Sequence, residues 1–221
     1  MLTQSAVTEY PRLHRHALHW TAAAPEAPAG VSMSFARNAE IFAEGETSGY
    51  VYKVVSGVVR VSQLLPDGRR QISAFHLPGD MFGFEIDDLH HASAEAIVPT
   101  KIIAFKWQSV AGAGASTSLV RELLNRTMMD LRHTQDHLLL LGRKNALERL
   151  AAFLLEMAGR LGGKNVLELA MPRHDIADYL GLTLETVSRM FAELKEMGTI
   201  RLESSRRVHL IDAGKLKAMA A

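Results

Sequence analysis

Between Asp175 and Gly198 the chain runs DIADYLGLTLETVSRMFAELKEMG, and its centre carries hydrogen-bonding side chains in a spacing suited to reading base edges. Projected at about 100° per residue, Val187, Met190, Phe191 and Leu194 gather within about 100° of arc, enough for a core stripe. Glu185, Ser188, Arg189 and Ala192 gather on the opposite side. Such a helix buries one face and presents the other, with its polar groups concentrated in the first two turns. That design can enter the major groove N-terminus first. There Arg189 could donate a bidentate pair to guanine O6 and N7, Glu185 could accept from cytosine N4, and Leu184 could pack on a thymine methyl. Thr183 is a good N-cap, and the bare N–H groups at that end, beside Thr186, favour a phosphate. Arg206 and Arg207 could meet phosphates too, which positions a protein without reading sequence. The plainer reading of the same pattern is an ordinary three-helix subdomain with a solvated polar face.

The elements that must hold this helix are legible on both sides of it. A short helix is expected at about His174–Leu180, then Gly181, then the helix from Leu184 to about Met197, then Gly198. Two short strands follow, Ile200–Leu202 and Val208–Leu210, joined through Ser204, Ser205 and Arg206. Helix, tight turn, helix and hairpin describe a winged helix-turn-helix. The unit spans 144–221 and opens with an amphipathic helix over Asn145–Arg160, apolar at Leu147, Leu150, Ala151, Leu154 and Leu155.

Upstream, 115–143 holds no proline and no glycine before Gly142. Val120, Leu124, Thr127, Leu131, Thr134, Leu138 and Leu141 alternate steps of four and three, a heptad seam. The two threonines make the seam imperfect, and it could shift toward Met128 and Gln135. A helix of this length runs on the order of 40 Å. It could be a dimer spine, or it could lie along its own domain.

From about Val31 to Phe105 the texture is β. Short apolar runs (Tyr50–Val55, Val58–Leu64, Ile72–Phe75) are separated by turn signals at Glu44-Gly45-Glu46, Ser56-Gly57, Pro66-Asp67-Gly68 and Pro78-Gly79-Asp80. Asp67-Gly68 marks a tight hairpin, since glycine relieves the positive φ that such turns demand. Many short strands at regular spacing suggest a sandwich or a roll. Residues 1–30 are expected to be an arm ending in the linker TAAAPEAPAG. No apolar run approaches the roughly 20 residues of a membrane span, and the N-terminus lacks a secretory pattern, so the cytoplasm is the expected location.

Composition removes whole classes of function. The 221 residues include no cysteine, which excludes disulfides, thiol chemistry and cysteine-ligated clusters. A net charge of +1 gives no bulk electrostatic footprint for nucleic acid, so DNA binding rests on the local motif.

With these residues in view, the chain resembles the Crp/Fnr superfamily of transcription regulators. DIADYLGLTLETVSR is similar to that family's DNA-reading signature. RKNALERLAAFLLEM (Arg143 to Met157) resembles the start of its DNA-binding domain, and LPGDMFGFE (Leu77 to Glu85) its sensory β-roll. The resemblance runs from about Val31 to the C-terminus. It implies an α+β chain with an antiparallel, cyclic-nucleotide-binding-like β-roll (31–110), a dimerisation helix (115–143) and a C-terminal winged helix-turn-helix. The Glu-Thr-Val-Ser-Arg form is similar to the Fnr and FixK branch, where residues matching Glu185, Ser188 and Arg189 read a TTGAT-type half-site. The family further implies a homodimer on a palindrome of the type TTGAT-N4-ATCAA, in contact with RNA polymerase. The β-roll loop at Asp67-Gly68 is the expected contact.

The departures concern the signal. Fnr carries its iron–sulfur cluster on cysteines, which are absent here. The cAMP-binding members place Gly-Glu before an Arg-Ser or Arg-Thr pair. Here Gly83-Phe84-Glu85-Ile86 is followed by DDLHHASAEA, without arginine, so a cyclic phosphate lacks its bidentate partner. What remains resembles the FixK type, with no obligatory cofactor. The alternative is a ligand-gated member with an unidentified small molecule or haem in the roll.

Other histidines suggest little chemistry. His14, His16 and His19 lie in the expected arm. A cupin-type metalloenzyme needs His-x-His plus a further Glu and His inside the barrel, and His76, His90 and His91 lack that spacing. No metal site and no enzymatic activity are expected. A scaffold that dimerises and binds only protein would leave the polar helix face idle.

Overall fold

The computed structural model describes residues 30–85, 87–111, 117–163 and 165–220. The expected arm up to Ala29, with His14, His16 and His19, lies outside the described residues, as do Ile86 and the side chain of Val120.

Eight short strands come first: β1 (Val31–Phe35), β2 (Glu40–Phe42), β3 (Tyr50–Ser56), β4 (Val59–Leu64), β5 (Arg70–His76), β6 (Met81–Phe82), β7 (Ser93–Ala96) and β8 (Thr100–Lys106). They form two four-stranded antiparallel sheets, ordered β1-β8-β3-β6 and β2-β7-β4-β5. The non-sequential order makes this a roll rather than a meander. The hairpin signalled by Asp67-Gly68 joins β4 to β5, pairing Leu64 with Arg70, and Gly68 takes the positive φ of 83° that its turn requires. Between the sheets pack Phe42, Tyr52, Val54, Val59, Phe82, Ala94, Ile102 and Ala104. Aromatic rings fill the middle: Phe42 on Tyr52 at 5.4 Å, Tyr52 on Phe82 at 5.2 Å, and the buried His90 flat against Phe42 at 3.6 Å.

A one-turn helix α1 (Trp107–Ala111) leaves the roll, and α2 (Thr117–Arg143) follows as the long helix foreseen from the heptad pattern. The C-terminal unit comprises α3 (Ala146–Arg160), β9 (Val166–Glu168), α4 (Arg173–Leu180), α5 (Leu184–Glu196), β10 (Ile200–Leu202), β11 (Arg207–Leu210) and α6 (Ala213–Ala220). Its sheet is three-stranded, ordered β10-β11-β9, where the sequence pointed to a two-stranded hairpin. β9 pairs Val166 to Glu168 against His209 to Arg207. The short helix begins at Arg173, one residue before the expected start.

The roll and the C-terminal unit share one apolar core. Val58, Ile72, Phe75, Leu77 and Ile97 of the roll join Leu150, Phe153, Leu154, Ile176, Tyr179, Phe191 and Leu194 in a continuous cluster. Phe75 lies 6.4 Å from Phe153 and 5.0 Å from Tyr179, ring centre to ring centre.

His76 ends β5 near this boundary, its ring 5.1 Å from that of Phe82. Burial pushes its imidazole down to about 4; Asp80 opposes the shift, and Arg160 and His133 add to it. The folded state therefore holds His76 neutral where the unfolded chain would protonate it. Its contribution to stability is complete above about pH 6.5 and is lost as pH falls toward 4. The residue is only half-buried, which moderates the loss to the order of 1 kcal/mol by about pH 5. Urea unfolding of the wild type and of His76→Gln across this window should show a shallower pH slope for the variant. Equal slopes would remove His76 from the account.

Candidate nucleic-acid interface

The C-terminal unit is built to hold one helix face outward. α3 starts with a capping box: the Asn145 side chain accepts from the Leu147 and Glu148 N–H groups, and the Glu148 carboxylate accepts from the Asn145 N–H. α4 ends at Gly181, whose left-handed backbone (φ 61°) turns the chain sharply into α5. A Cβ there would meet only ordinary contacts, so the backbone angle is what calls for glycine. Both Gly181 and Leu182 donate to the Ala177 carbonyl, closing the turn. α5 then opens on Thr183, whose hydroxyl accepts from the Thr186 N–H at 3.2 Å and lies 3.1 Å from the Thr186 hydroxyl.

α5 buries Val187, Met190, Phe191 and Leu194, the four positions expected. The Arg173 guanidinium sits 3.1 Å above the Phe191 ring, and desolvation lowers its pKa to about 10. This stacking braces α5 against the first turn of α4. Beyond α5, Thr199 is fully buried and donates its hydroxyl proton to the Leu194 carbonyl, which fixes the angle between the helix and the wing.

The opposite face of α5 is open. Leu184 is 44% exposed, and Glu185, Ser188 and Arg189 are exposed. Among the described residues none of these three polar side chains has an intramolecular hydrogen bond or ion pair. Thr183 and Thr186 stand at the N-terminal end of the same face, occupied only with each other. At the wing the two arginines differ. Arg207 is held by Glu168 at 3.1 Å and Glu203 at 3.3 Å, whereas the side chain of Arg206 has no partner among the described residues. His209 and Arg207 draw the Glu203 carboxyl below its usual range, so these wing carboxylates are engaged by groups other than Arg206.

Two family models match the chain: the Crp-like helix-turn-helix domain over residues 148–219 and the cyclic nucleotide-binding domain over residues 32–114. The nitrogen fixation regulation protein FixK of Azorhizobium caulinodans is 48% identical over 196 residues, covering 86% of this chain and 79% of that protein. FixK of Rhizobium meliloti is 44% identical over 180 residues, covering 81% and 82%. The solved structure of FixK2 from Bradyrhizobium japonicum superposes with a TM-score of 0.83 at 46% identity, covering 87% of this chain and 98% of that one. The chain belongs to the Crp/Fnr family. It is a Crp/Fnr-type transcription regulator of the FixK-like kind, with a DNA-binding helix-turn-helix.

Crp/Fnr regulators are dimeric, and in this chain α2 carries an exposed apolar stripe. Leu124, Leu131 and Leu138 are 55%, 52% and 70% exposed, and Met128 is 57% exposed. Thr127 and Thr134 donate their hydroxyl protons to the helix's own carbonyls of Leu123 and Asp130, so neither hydroxyl needs a partner outside the helix. Leu141 differs, being half-buried against the C-terminal core. Among the described residues no helix is long and apolar enough to cross a membrane.

Sequence reasoning missed the side chains that tie the Crp/Fnr helix-turn-helix to the rest of the molecule. Arg60 and Arg70 of the roll grip α4, and Arg149 donates to the carbonyls of Leu141, Lys144 and Leu180. Their partners are distant in sequence, so no local spacing announces them.

Proposed function

We propose that this regulator works as a homodimer on a palindromic operator of the type TTGAT-N4-ATCAA. In this reading α2 is the dimer spine and α5 the reading helix, in the cytoplasm and without enzymatic activity. Leu184, Glu185, Ser188 and Arg189 touch base edges, while Thr183, Thr186 and Arg206 touch phosphates. Arg207 reaches a phosphate only by releasing Glu168 or Glu203. One observation carries the assignment: Glu185, Ser188 and Arg189 stand exposed and unengaged on the first two turns of a helix whose other face is buried.

The protein acts without an obligatory cofactor. Residues 83–96 contain no arginine. The cleft there is lined by Ser48, Tyr50, Gly83, Glu85, Asp87, Asp88 and Trp107, so its three carboxylates repel a cyclic phosphate rather than bind it. The space between the sheets is taken by the Phe42, Tyr52, Phe82 and His90 rings. A cyclic nucleotide does not fit these residues, and a chain without cysteine cannot hold a cysteine-ligated cluster.

The β4–β5 hairpin is the surface offered to RNA polymerase. Leu64 and Leu65 are 70% and 36% exposed at its tip, beside the Asp67–Arg69 ion pair of 2.7 Å. Reversing both charges, Asp67→Lys with Arg69→Glu, should leave operator binding unchanged and lower activated transcription in a purified system. Unchanged transcription would end that role for the hairpin.

The test of the whole reading is binding of the untreated protein to a TTGAT-N4-ATCAA duplex and to a scrambled duplex at near-physiological salt, since salt sets the non-specific background. Preference for the palindrome with nothing added is the expected result. Equal, weak binding to both would overturn it, and preference appearing only with an additive would overturn the cofactor-free part.

A further inference from the structure

The first turn of α4 is clamped by the β-roll. Asp175 is wholly buried; one carboxylate oxygen accepts from Arg60 Nη1 at 2.9 Å, the other from Arg70 Nη2 at 2.5 Å, with His174 Nε2 at 3.0 Å. Arg70 also donates twice to Asp178, at 2.9 and 2.7 Å. Arg60 is itself aimed by Glu95 of β7, at 2.8 Å. Beside the clamp, Arg160 at the end of α3 donates to Asp80 and to the Phe75 carbonyl of the roll, each at 2.6 Å. The far end of α4 is held separately. Arg149 links the Leu180 carbonyl, at 2.9 Å, to the Leu141 carbonyl of α2, at 2.8 Å.

These two attachments remove different freedoms. A joint at one end of α4 leaves the helix-turn-helix free to swing about it. A second joint five residues further along, roughly 7 Å from Asp175, stops the swing. The apolar contact of Phe75 with Phe153 and Tyr179 cannot do this alone, because burial has no preferred direction. Charge-assisted arginine–carboxylate bonds do have one, and since a buried ion pair adds little net stability once desolvation is counted, defining the arrangement is the role left to this clamp. α5 follows α4 rigidly through Gly181 and the Arg173–Phe191 stack. The roll therefore sets where each reading helix sits relative to the dimer spine.

We propose that Arg60 and Arg70, through Asp175 and Asp178, are positioning residues that define which operator spacing the dimer accepts. The proposal rests on the reading of α5 and α2 given above. Two half-sites must lie one helical turn apart, or a multiple of it, to meet two fixed reading helices. Loosening the clamp lets each helix-turn-helix shift and tolerate a changed separation.

The experiment uses the full chain and duplexes carrying two TTGAT-type half-sites with spacers of N3, N4, N5 and N6, plus a duplex with one half-site. Arg70→Met is combined with Asp178→Asn so that the second carboxylate is not left unmatched, while the Arg60–Asp175 pair stays. The wild type should favour one spacer over its neighbours by about tenfold or more. The double variant should bind neighbouring spacers nearly equally, with single half-site affinity unchanged. Arg70→Lys, which keeps a charge but not the fork, should fall between the two, and it supplies the comparison if the double variant folds poorly. A folded variant with the wild-type spacing preference overturns the proposal. A wild type that binds no half-site duplex above a scrambled one overturns the operator reading itself, and that outcome is distinct from an unchanged preference.

Discussion

Arg189→Ala is expected to lose about 1–3 kcal/mol of binding at each half-site while the protein stays folded. The side chain is exposed and has no partner among the described residues, so its removal breaks nothing inside the molecule. Alanine is also the best helix former, and the four buried anchors of α5 are untouched. The loss therefore falls on the DNA contact alone. Because a palindrome offers the contact twice and well-separated positions add roughly, the whole operator should lose about 2–6 kcal/mol. The signature is a relaxed base preference at one position per half-site, read by binding to duplexes substituted there. Glu185→Ala should relax a different position by the same reasoning. Arg206→Ala should instead weaken binding to every sequence alike and lower the salt dependence by about two ions per dimer, one from each protomer. If Arg189→Ala kept the full sequence preference, α5 would not be the reading helix. If it weakened all sequences equally, Arg189 would be a phosphate contact.

The buried and exposed faces of α5 were legible because helical periodicity sorts side chains without knowledge of anything outside the helix. Val187, Met190, Phe191 and Leu194 fall to one side by spacing, and they are the residues α5 buries. The β4–β5 hairpin was legible for a similarly local reason, since Asp67-Gly68 states its own turn. β9 was not, because three residues, Val166–Glu168, carry no measurable alternation, and their strand character comes from pairing with β11. α6 escaped because Leu216 is its one buried residue. The clamp on α4 was invisible for a deeper reason. Asp175 lies 115 residues from Arg60 and 105 from Arg70, and in sequence it resembles any polar residue in the first turn of a helix. The heptad seam shows where a local pattern stops being informative. Leu141 continues the pattern, and the structure places it half-buried against the local core, a contact that the spacing does not announce.

That division of α2 makes the dimer prediction sharp. Leu131→Glu combined with Leu138→Glu should yield a folded monomer. Neither leucine belongs to a buried cluster, and they are 52% and 70% exposed, so the single chain loses little by the change. In the dimer the change is severe. A two-fold interface repeats every substitution, so four leucines leave it, each contributing about 1.5–3 kcal/mol when fully buried. The carboxylates that replace them would face one another or be desolvated. A loss of roughly 6–12 kcal/mol by this arithmetic exceeds what a dimer stable at micromolar concentration can spare. Light scattering should report half the wild-type mass, and affinity for the palindrome should fall to that of a single half-site, because the second reading helix is no longer tethered to the first. A matched change at Leu140, which is 8% exposed, should unfold the C-terminal unit instead, separating the seam from the local core. Should the Leu131 and Leu138 variant remain dimeric, the spine of this regulator is not α2. The exposed stripe of Leu124, Met128, Leu131 and Leu138 would then have to be covered by something other than its own copy, since monomeric proteins rarely leave so much contiguous apolar surface in water.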